Sequence, residues 1–227
     1  MIIKYVQTDS GFYLSGFRMM LSLTQIKRVS KHSVSTVIRT GVAMFVALLF
    51  HFDSASGQVY VGGELTSSET FSPENNPYIV TQDLIVTSGV TLTIQPGVEM
   101  LFEYGTSLVS NGTLIAKGTE EQKISFLSKN PQALTGQWNG ISFDANKTFL
   151  GTDSNYISGS VLSHAIISNA SRSVILSKGT SLLIDEVDIR YCSFGVYLNE
   201  SGYNTIRNSI FTYCDFGIFI ASGYRNP

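Results

Sequence analysis

Histidine, cysteine, tryptophan and charged side chains are all scarce in this sequence. Its 227 residues include three His, two Cys and one Trp, and only 14% of them are charged. A zinc site or a Ser-His-Asp triad needs several such side chains to converge, and His164 is the only histidine after residue 57. We therefore expect His164 to be a solvated side chain, and we predict no metal site and no cofactor.

Basic residues are too few to form a nucleic-acid surface. After residue 57 the chain has nine basic and fifteen acidic side chains, a net charge of about −6. Binding to nucleic acid depends on a stripe of Lys and Arg that neutralises phosphates. The sequence therefore predicts no nucleic-acid partner.

An apolar run near the N-terminus is too short to span a membrane comfortably. It covers residues 42–50, follows Lys27, Arg28, Lys31 and Arg39, and precedes the small residues 55–57. A span needs about 20 apolar residues, whereas this order is typical of a secretory signal. We predict an N-terminal extension and signal peptide over residues 1–57, with a buried helix or a signal anchor as the alternative. The mature chain would have no membrane span and would be secreted, extracellular or at the cell surface, or periplasmic in a bacterium.

Sustained helical periodicity is also missing after residue 57. Residues 58–77 are rich in Ser, Thr and Glu, and Pro73 and Pro77 block a helix, so we predict an entry or cap segment there. From Tyr78 onward, short β-prone runs alternate with Gly, Pro, Asn and Asp, as between strands. In residues 91–94 threonines alternate with Leu and Ile, which indicates a strand with one buried face.

A period of 22 residues organises the rest of the chain. Residues 187–198 (VDIRYCSFGVYL) and 209–220 (SIFTYCDFGIFI) repeat each other at this offset. Four apolar sets keep the same spacing: Leu162/Ile184/Ile206, Ile167/Ile189/Phe211, Val174/Val196/Ile218 and Leu176/Leu198/Ile220. A repeat of this length with two or three short strands is one coil of a parallel β-solenoid, whose coils stack about 4.8 Å apart. We predict an all-β solenoid domain of about seven coils over residues 78–227.

The period slips between the two halves of the chain. Ile124 and Phe126 correspond best by residue type to Ile141 and Phe143, only 17 residues later. Residues 144–156 are rich in Asn, Asp, Gly and Thr. We expect them to form an inserted surface loop.

Several segments resemble secreted right-handed parallel β-helix proteins, which are similar in fold to the pectate-lyase-like superfamily. The resemblance extends over residues 78–220 and is carried by residues 89–98 (GVTLTIQPGV), 112–119 (GTLIAKGT) and 138–143 (WNGISF), and by the endings GVYL and GIFI. It implies a right-handed parallel β-helix. Because that family includes polysaccharide-active enzymes, adhesins, a copper-delivery factor and animal cell-surface proteins, the resemblance leaves the function open.

Cys192 and Cys214 occupy the same phase on adjacent coils. Their Cα atoms would lie about 4.8 Å apart, within the range of a disulfide, but parallel Cβ vectors are poor geometry for one. We favour two stacked, buried thiols. A disulfide is the alternative, because the chain is expected to be exported.

Tyr197 and Phe219 are the candidate ligand-binding residues. Each lies between inward-pointing aliphatic neighbours, so strand alternation directs both rings outward. Two aromatic rings on an outer face could bind a sugar by its apolar side. The alternative is that they only pack on each other or on a further coil.

The carboxylates do not form a catalytic pattern. A lyase needs calcium ligands that converge, and a hydrolase needs two carboxyl groups at a defined separation. Asp185, Glu186, Asp188 and Asp215 are not stacked at one phase. Asp188 shares its phase with Ile166 and Ile210, and we expect this column to point outward because a buried unpaired carboxylate is costly.

These observations favour an exported scaffold or binding module that contacts a carbohydrate or an extracellular partner protein, with no catalytic residue. The alternative is a fragment of a polysaccharide lyase or glycoside hydrolase whose catalytic coils lie elsewhere. The sequence stops one turn after a strand, and solenoids need capped ends, so we expect a C-terminally truncated domain. Four Asn-x-Ser/Thr sequons are relevant if the source glycosylates exported proteins: Asn111, Asn146, Asn169 and Asn199.

Overall fold

The computed structural model describes residues 57–221, apart from Pro131, Ala133, Ala145, Asn146, Lys178, Ser201 and Gly202. The predicted signal region over residues 1–57 therefore lies almost entirely outside the described residues, as do the last six residues of the chain. Within the described part, no helix is long and apolar enough to cross a membrane.

Strands make up nearly all of the regular structure, and a short 3-10 turn covers Pro73–Asn75. The strands are numbered here in chain order: β1 Val59–Leu65, β2 Glu69–Phe71, β3 Tyr78–Val86, β4 Thr91–Ile94, β5 Glu99–Phe102, β6 Ser107–Ser110, β7 Thr113–Lys117, β8 Ile124–Ser128, β9 Gly140–Phe143, β10 Thr148–Leu150, β11 Tyr156–Gly159, β12 Val161–Ser168, β13 Arg172–Leu176, β14 Leu183–Asn199, β15 Thr205–Arg207 and β16 Ile210–Ala221.

The strands form three ladders of parallel neighbours. The first contains β5 and β8 with parts of β1, β3, β12, β14 and β16. The second contains β6, β9 and β13 with later parts of β1, β3, β14 and β16, and the third contains β2, β4, β7 and β15 with the starts of β12 and β14. One pass through the three ladders is one coil of about 22 residues, and about seven coils stack on one another. The predicted all-β parallel solenoid is confirmed.

The hydrophobic core runs through the centre of this stack. A coil is too thin to bury its own apolar face, so each inward side chain packs on its equivalent in the next coil. Leu162, Ile184 and Ile206 are register partners in the third ladder, as predicted from their spacing. The other three predicted sets also pair in register. Trp138 is fully buried and stacks on Phe102 with ring centroids 3.9 Å apart.

Part of the slip in the period comes from an insertion between the second and third ladders. The offset has already grown from 22 to 33 residues between the register partners Leu108 and Ile141, which precede that insertion. Strands β10 and β11 form an antiparallel hairpin there, which overlaps the inserted surface loop expected over residues 144–156. The expected match of Ile124 to Ile141 is wrong. Ile124 pairs with Ala165 in the first ladder, whereas Ile141 pairs with Leu108 and Val174 in the second. Every ladder alternates apolar and polar residues in the same way, so residue type alone does not distinguish one ladder from another.

Two corners of the solenoid recur with left-handed backbone geometry. His164, Glu186 and Asn208 turn the chain from the third ladder to the first, with φ of 47°, 55° and 51°. The turn from the first ladder to the second uses Asn169, Tyr191 and Tyr213, with φ of 66°, 52° and 54°. Positive φ is uncommon for residues other than glycine. Each corner repeats at the 22-residue period, so the exposed polar and aromatic side chains at these positions also line up along the solenoid.

Candidate interaction surface

The second ladder positions the aromatic residues that the sequence singled out. Strand β16 lies beside the end of β14 in parallel register, with Phe194 opposite Phe216 and Tyr197 opposite Phe219. In a parallel ladder, side chains at equivalent positions stand about 4.8 Å apart, and aromatic side chains at that distance stack. The 22-residue repeat therefore builds a stack of rings directly from the sequence.

Four rings and one guanidinium group form what we call the aromatic cluster: Arg172, Phe194, Tyr197, Phe216 and Phe219. The ring centroids of Tyr197 and Phe219 are 5.3 Å apart with planes inclined by 16°. Phe194 and Phe216 also stack at 5.3 Å, and Phe194 meets Phe219 edge to face at 5.2 Å. The predicted pair is thus the centre of a larger group.

Arg172 closes one end of the aromatic cluster. Its guanidinium carbon lies 4.9 Å from the centroid of the Tyr197 ring and 5.8 Å from that of Phe194, which is cation–π geometry. The side chain is exposed, and no carboxylate in the described part of the chain pairs with it. Arg172 was not among the residues predicted from the sequence, because it lies one coil before the duplicated stretch. The register of Arg172 with Phe194 is the signal that would have found it.

The faces of the central rings are occupied. Tyr197 has Arg172 against one face and Phe219 against the other. Because the rings are stacked at nearly the spacing of the coils, their planes lie across the long axis of the solenoid. In the middle of the aromatic cluster, the solvent therefore meets the edges of the rings and the guanidinium group of Arg172. Only the outermost rings, Phe216 and Phe219, have a face that no described ring or cation covers.

A second stacked pair lies at the neighbouring corner. Tyr191 and Tyr213 have ring centroids 4.9 Å apart and planes inclined by only 3°. They are 41% and 76% exposed, so this tyrosine pair is more accessible than the predicted residues. The repeat aligned the two tyrosines in the sequence, but strand alternation alone did not show that they occupy a left-handed corner.

Cys192 and Cys214 lie between the tyrosine pair and the aromatic cluster. Their Cα atoms are 4.7 Å apart, close to the spacing expected for adjacent coils, and the structure joins their sulfur atoms in a disulfide. No free cysteine is left, since both cysteines of the sequence lie in the described part. The structure thus contains the alternative arrangement rather than the favoured pair of stacked thiols.

A polar group occupies the corner between the third and first ladders. Oδ2 of Asp185 accepts a hydrogen bond from Arg207 at 2.9 Å, and its Oδ1 accepts one from Asn208 at 3.0 Å. Burial by itself would raise the pKa of Asp185, but these two hydrogen bonds and the charge of Arg207 outweigh it and lower that pKa. Nδ1 of His164 lies 3.0 Å from Oε2 of Glu186, so this histidine is held at the corner beside a carboxylate.

The column that contains Asp188 points outward, as expected. Val187 and Ile189 on either side of it are buried, whereas Ile210, one coil later at the same phase, is 61% exposed. Asp188 faces Arg190, whose Nη1 atom lies 3.7 Å from its Oδ2. The cost of burying an unpaired carboxylate therefore predicted the orientation correctly.

Comparisons with known proteins agree with this architecture. A segment of 65 residues, 29% of this chain, is 37% identical to Protein bark beetle of Drosophila melanogaster and spans only 2% of that protein's length. No solved structure matches the chain significantly. Residues 61–227 match the family model for NosD, described as a periplasmic copper-binding protein. Since this match extends over most of the chain and the observed fold is the parallel solenoid of that family, the chain belongs to the NosD family of right-handed parallel β-helix proteins.

Proposed function

We propose that this chain is a binding module of an exported β-helix protein, and that its aromatic cluster contacts an extracellular partner protein. Export is supported by the periplasmic description of the family. It agrees with the signal peptide expected over residues 1–57. The site of action is outside the cytoplasm, either in the periplasm or at the cell surface.

The observation that carries the proposal is the composition of the aromatic cluster. Aromatic residues and arginine are enriched in protein interfaces and dominate their hot spots. Here Arg172 is held over Tyr197, and Phe216, another ring of the aromatic cluster, is 50% exposed. The rings are fixed by stacking on one another and by the rigid ladder beneath them. A partner that binds there would therefore lose little side-chain entropy on association.

A carbohydrate is the second candidate ligand. Sugars pack their apolar faces on the faces of aromatic rings, and the faces of Tyr197 are already covered. The tyrosine pair favours this alternative, because Tyr213 is 76% exposed and one of its faces stacks on Tyr191 while the other carries no described ring or cation. The one free face of Tyr213 can accept one sugar ring, so a carbohydrate site there would be small.

We do not propose that this chain binds copper, although the description of the family mentions copper. Copper sites are built from Cys, His and Met side chains. In the described part of the chain both cysteines are joined to each other, and Met100 is fully buried in the core. Its one histidine, His164, lies against Glu186, and no group of three or more His, Cys, Asp or Glu residues there could hold a metal ion. These residues do not fit a copper site.

The carboxylates support a structural role over a catalytic one. Asp185, Glu186 and Asp188 face Arg207, His164 and Arg190, respectively. For Asp185, the hydrogen bonds from Arg207 and Asn208 and the charge of Arg207 outweigh the effect of burial and lower its pKa, so this carboxylate is a weaker base than a free one. A polysaccharide lyase or hydrolase activity would thus have to come from coils other than those described.

The proposal is tested by cell-surface binding of the exported protein. A fluorescent tetramer of the full chain is titrated on Drosophila cells, with and without prior protease treatment, and on a glycan array. We expect saturable binding that protease abolishes, and a loss of about tenfold or more in affinity for Phe219→Ser and for Arg172→Ala. Tyr104→Ala is the matched control, because Tyr104 is 82% exposed outside the cluster.

Thermal unfolding of each variant shows whether it is folded before its binding is compared. Unchanged binding by both folded cluster variants would refute the protein-contact proposal. Binding on the glycan array that is lost in Tyr213→Ala would establish the carbohydrate alternative instead.

A further inference from the structure

Two of the four sequons lie on the same corner of the solenoid. Val86, Ser110, Phe143, Leu176 and Leu198 are successive register partners in the second ladder. The residues that follow the last four lie at the end of the second ladder, and the first and last of these following residues are Asn111 and Asn199. The backbone confirms the alignment, because the N–H groups of residues 111, 144 and 177 donate to the carbonyls of the preceding coil.

This corner, which we call the sequon corner, runs from Asn111 to Asn199 over three coil steps. At about 4.8 Å per step, the two asparagines are about 14 Å apart along the solenoid. Asn146, a third sequon, follows the corner residue Asp144 by two positions in sequence, although Asn146 itself lies outside the described residues.

Both described asparagines of the sequon corner are accessible acceptors. Asn111 and Asn199 are exposed, and neither side-chain amide makes a hydrogen bond to any described residue. A sugar attached to Nδ2 at either position would extend into solvent without breaking a contact of the fold. The sequon signal and the structure therefore agree at these two sites.

Asn169 has the same sequence motif but a different environment. It is half-buried in a left-handed corner, with φ of 66°. Its Oδ1 accepts a hydrogen bond from Ser168 at 2.7 Å, and its Nδ2 donates to the carbonyl of Leu134 at 3.3 Å. A glycan on Nδ2 would have to displace the segment around Leu134, which the native fold holds against it.

We propose that Asn111 and Asn199 carry N-linked glycans in the exported protein and that Asn169 does not. The modification requires a secretory route that transfers oligosaccharide to asparagine. The inference does not depend on the aromatic cluster or on what it binds.

The glycans would also define which side of the solenoid is open to partners. Asn199 and Tyr197 are two residues apart on the same side of β14, so a glycan on Asn199 borders the aromatic cluster. The tyrosine pair lies on the opposite side of that cluster along the coil. A large partner would therefore approach from the side of Tyr191 and Tyr213.

The experiment is site-specific mapping of the full chain secreted from Drosophila S2 cells. Cells are treated with kifunensine to keep the glycans uniform, and the protein is deglycosylated with PNGase F in ¹⁸O water, which marks each formerly glycosylated asparagine. We expect the label at Asn111 and Asn199 and none at Asn169. The peptide that contains Asn146 is followed separately.

Intact masses of four variants give an independent readout. Asn111→Gln and Asn199→Gln should each remove one glycan mass, and Thr113→Ala, which keeps Asn111 but destroys its sequon, should match Asn111→Gln. Asn169→Gln should leave the glycan mass unchanged. If a variant is not secreted, the label in the unmutated protein decides. A labelled Asn169, or an unlabelled Asn111 or Asn199, would overturn the proposal.

Discussion

At the scale of single residues, two neighbouring coils approach each other closely at Gly195. A Cβ atom built there would collide with the carbonyl oxygen of Gly217 and with the ring of Phe211. The equivalent position one coil later is open by comparison, because a Cβ on Gly217 would meet Phe211 no closer than 3.5 Å. Two glycines at the same phase therefore have different packing requirements.

This difference predicts that substitution by alanine destabilises the protein at Gly195 but has little effect on its stability at Gly217. Gly195→Ala should destabilise the protein by about 1–3 kcal/mol, the usual cost of overpacking. Gly217→Ala makes only ordinary van der Waals contacts and should change the free energy of unfolding by less than about 1 kcal/mol. Urea unfolding followed by circular dichroism measures both. Equal destabilisation by the two variants would contradict the packing argument.

Asp185 gives a prediction about pH. Because its pKa is lowered from the ordinary value of 3.8, its contacts with Arg207 and Asn208 contribute stability that is fully present above that value. The contribution is lost as the pH falls through the lowered pKa of the folded state. Asp185→Asn should therefore be less stable than the unmutated protein near neutral pH, and the difference should shrink in acid.

Unfolding free energies of both proteins measured over the acid range test this sign. Asp215→Asn is the matched control, because Asp215 is exposed and makes no ion pair with a described residue. Its stability difference from the unmutated protein is the baseline with which the Asp185→Asn difference is compared at each pH. A difference for Asp185→Asn that grows in acid would contradict the assignment.

At the scale of the coil, the disulfide joins two strands that the ladder already holds together. It closes a loop of 22 residues between Cys192 and Cys214. In the chain-entropy model, a loop of this size is worth about 3 kcal/mol, because the cross-link restricts the unfolded chain.

The corresponding variant is Cys192→Ala combined with Cys214→Ala. This double variant should unfold at a lower urea concentration than the oxidised protein, and its free energy of unfolding should be lower by about 3 kcal/mol. Non-reducing peptide mapping of the exported protein should yield the linked Cys192–Cys214 peptide. Reduction of the unmutated protein is the control and should reproduce the loss. A map that shows two free thiols would instead restore the stacked-thiol arrangement.

The 22-residue period predicted the stacking of coils, but it did not predict every pair of neighbouring residues in the ladders. Leu162, Ile184 and Ile206 pair as expected because an apolar column must continue from coil to coil to bury each member. Ile124 was misplaced because the long connection from β8 to β9 and the inserted hairpin both break the count, and alternation is identical in all three ladders. The spacing in the sequence therefore predicts which residues pair within a ladder where no insertion intervenes. The length of an insertion can only be read from the structure.

The candidate site was predicted only in part for a related reason. Tyr197 and Phe219 could be located from strand alternation, which depends on local backbone geometry alone. Arg172 and the tyrosine pair could not, since their roles depend on register across coils and on left-handed corners. Positive φ at a tyrosine is too uncommon to be inferred from residue type.

At the scale of the whole molecule, three features lie at successive positions around a single coil. The tyrosine pair is at the corner before the second ladder, the aromatic cluster lies on that ladder, and the sequon corner follows it. A continuous surface around two neighbouring coils is thus apolar and aromatic at one end and, by our proposal, glycosylated at the other. The family name alone would not have indicated such a surface.

The disulfide has a mechanical consequence when the chain is pulled. Tension on the chain beyond residue 221 would strip the ladders one coil at a time, and each freed coil of 22 residues would add up to about 75 Å of extended length. The link from Cys192 to Cys214 prevents one such coil from extending. Under load, residues 215–221 with Phe216 and Phe219 would be released first, whereas residues 193–213 lie inside the closed loop and could not add extended length.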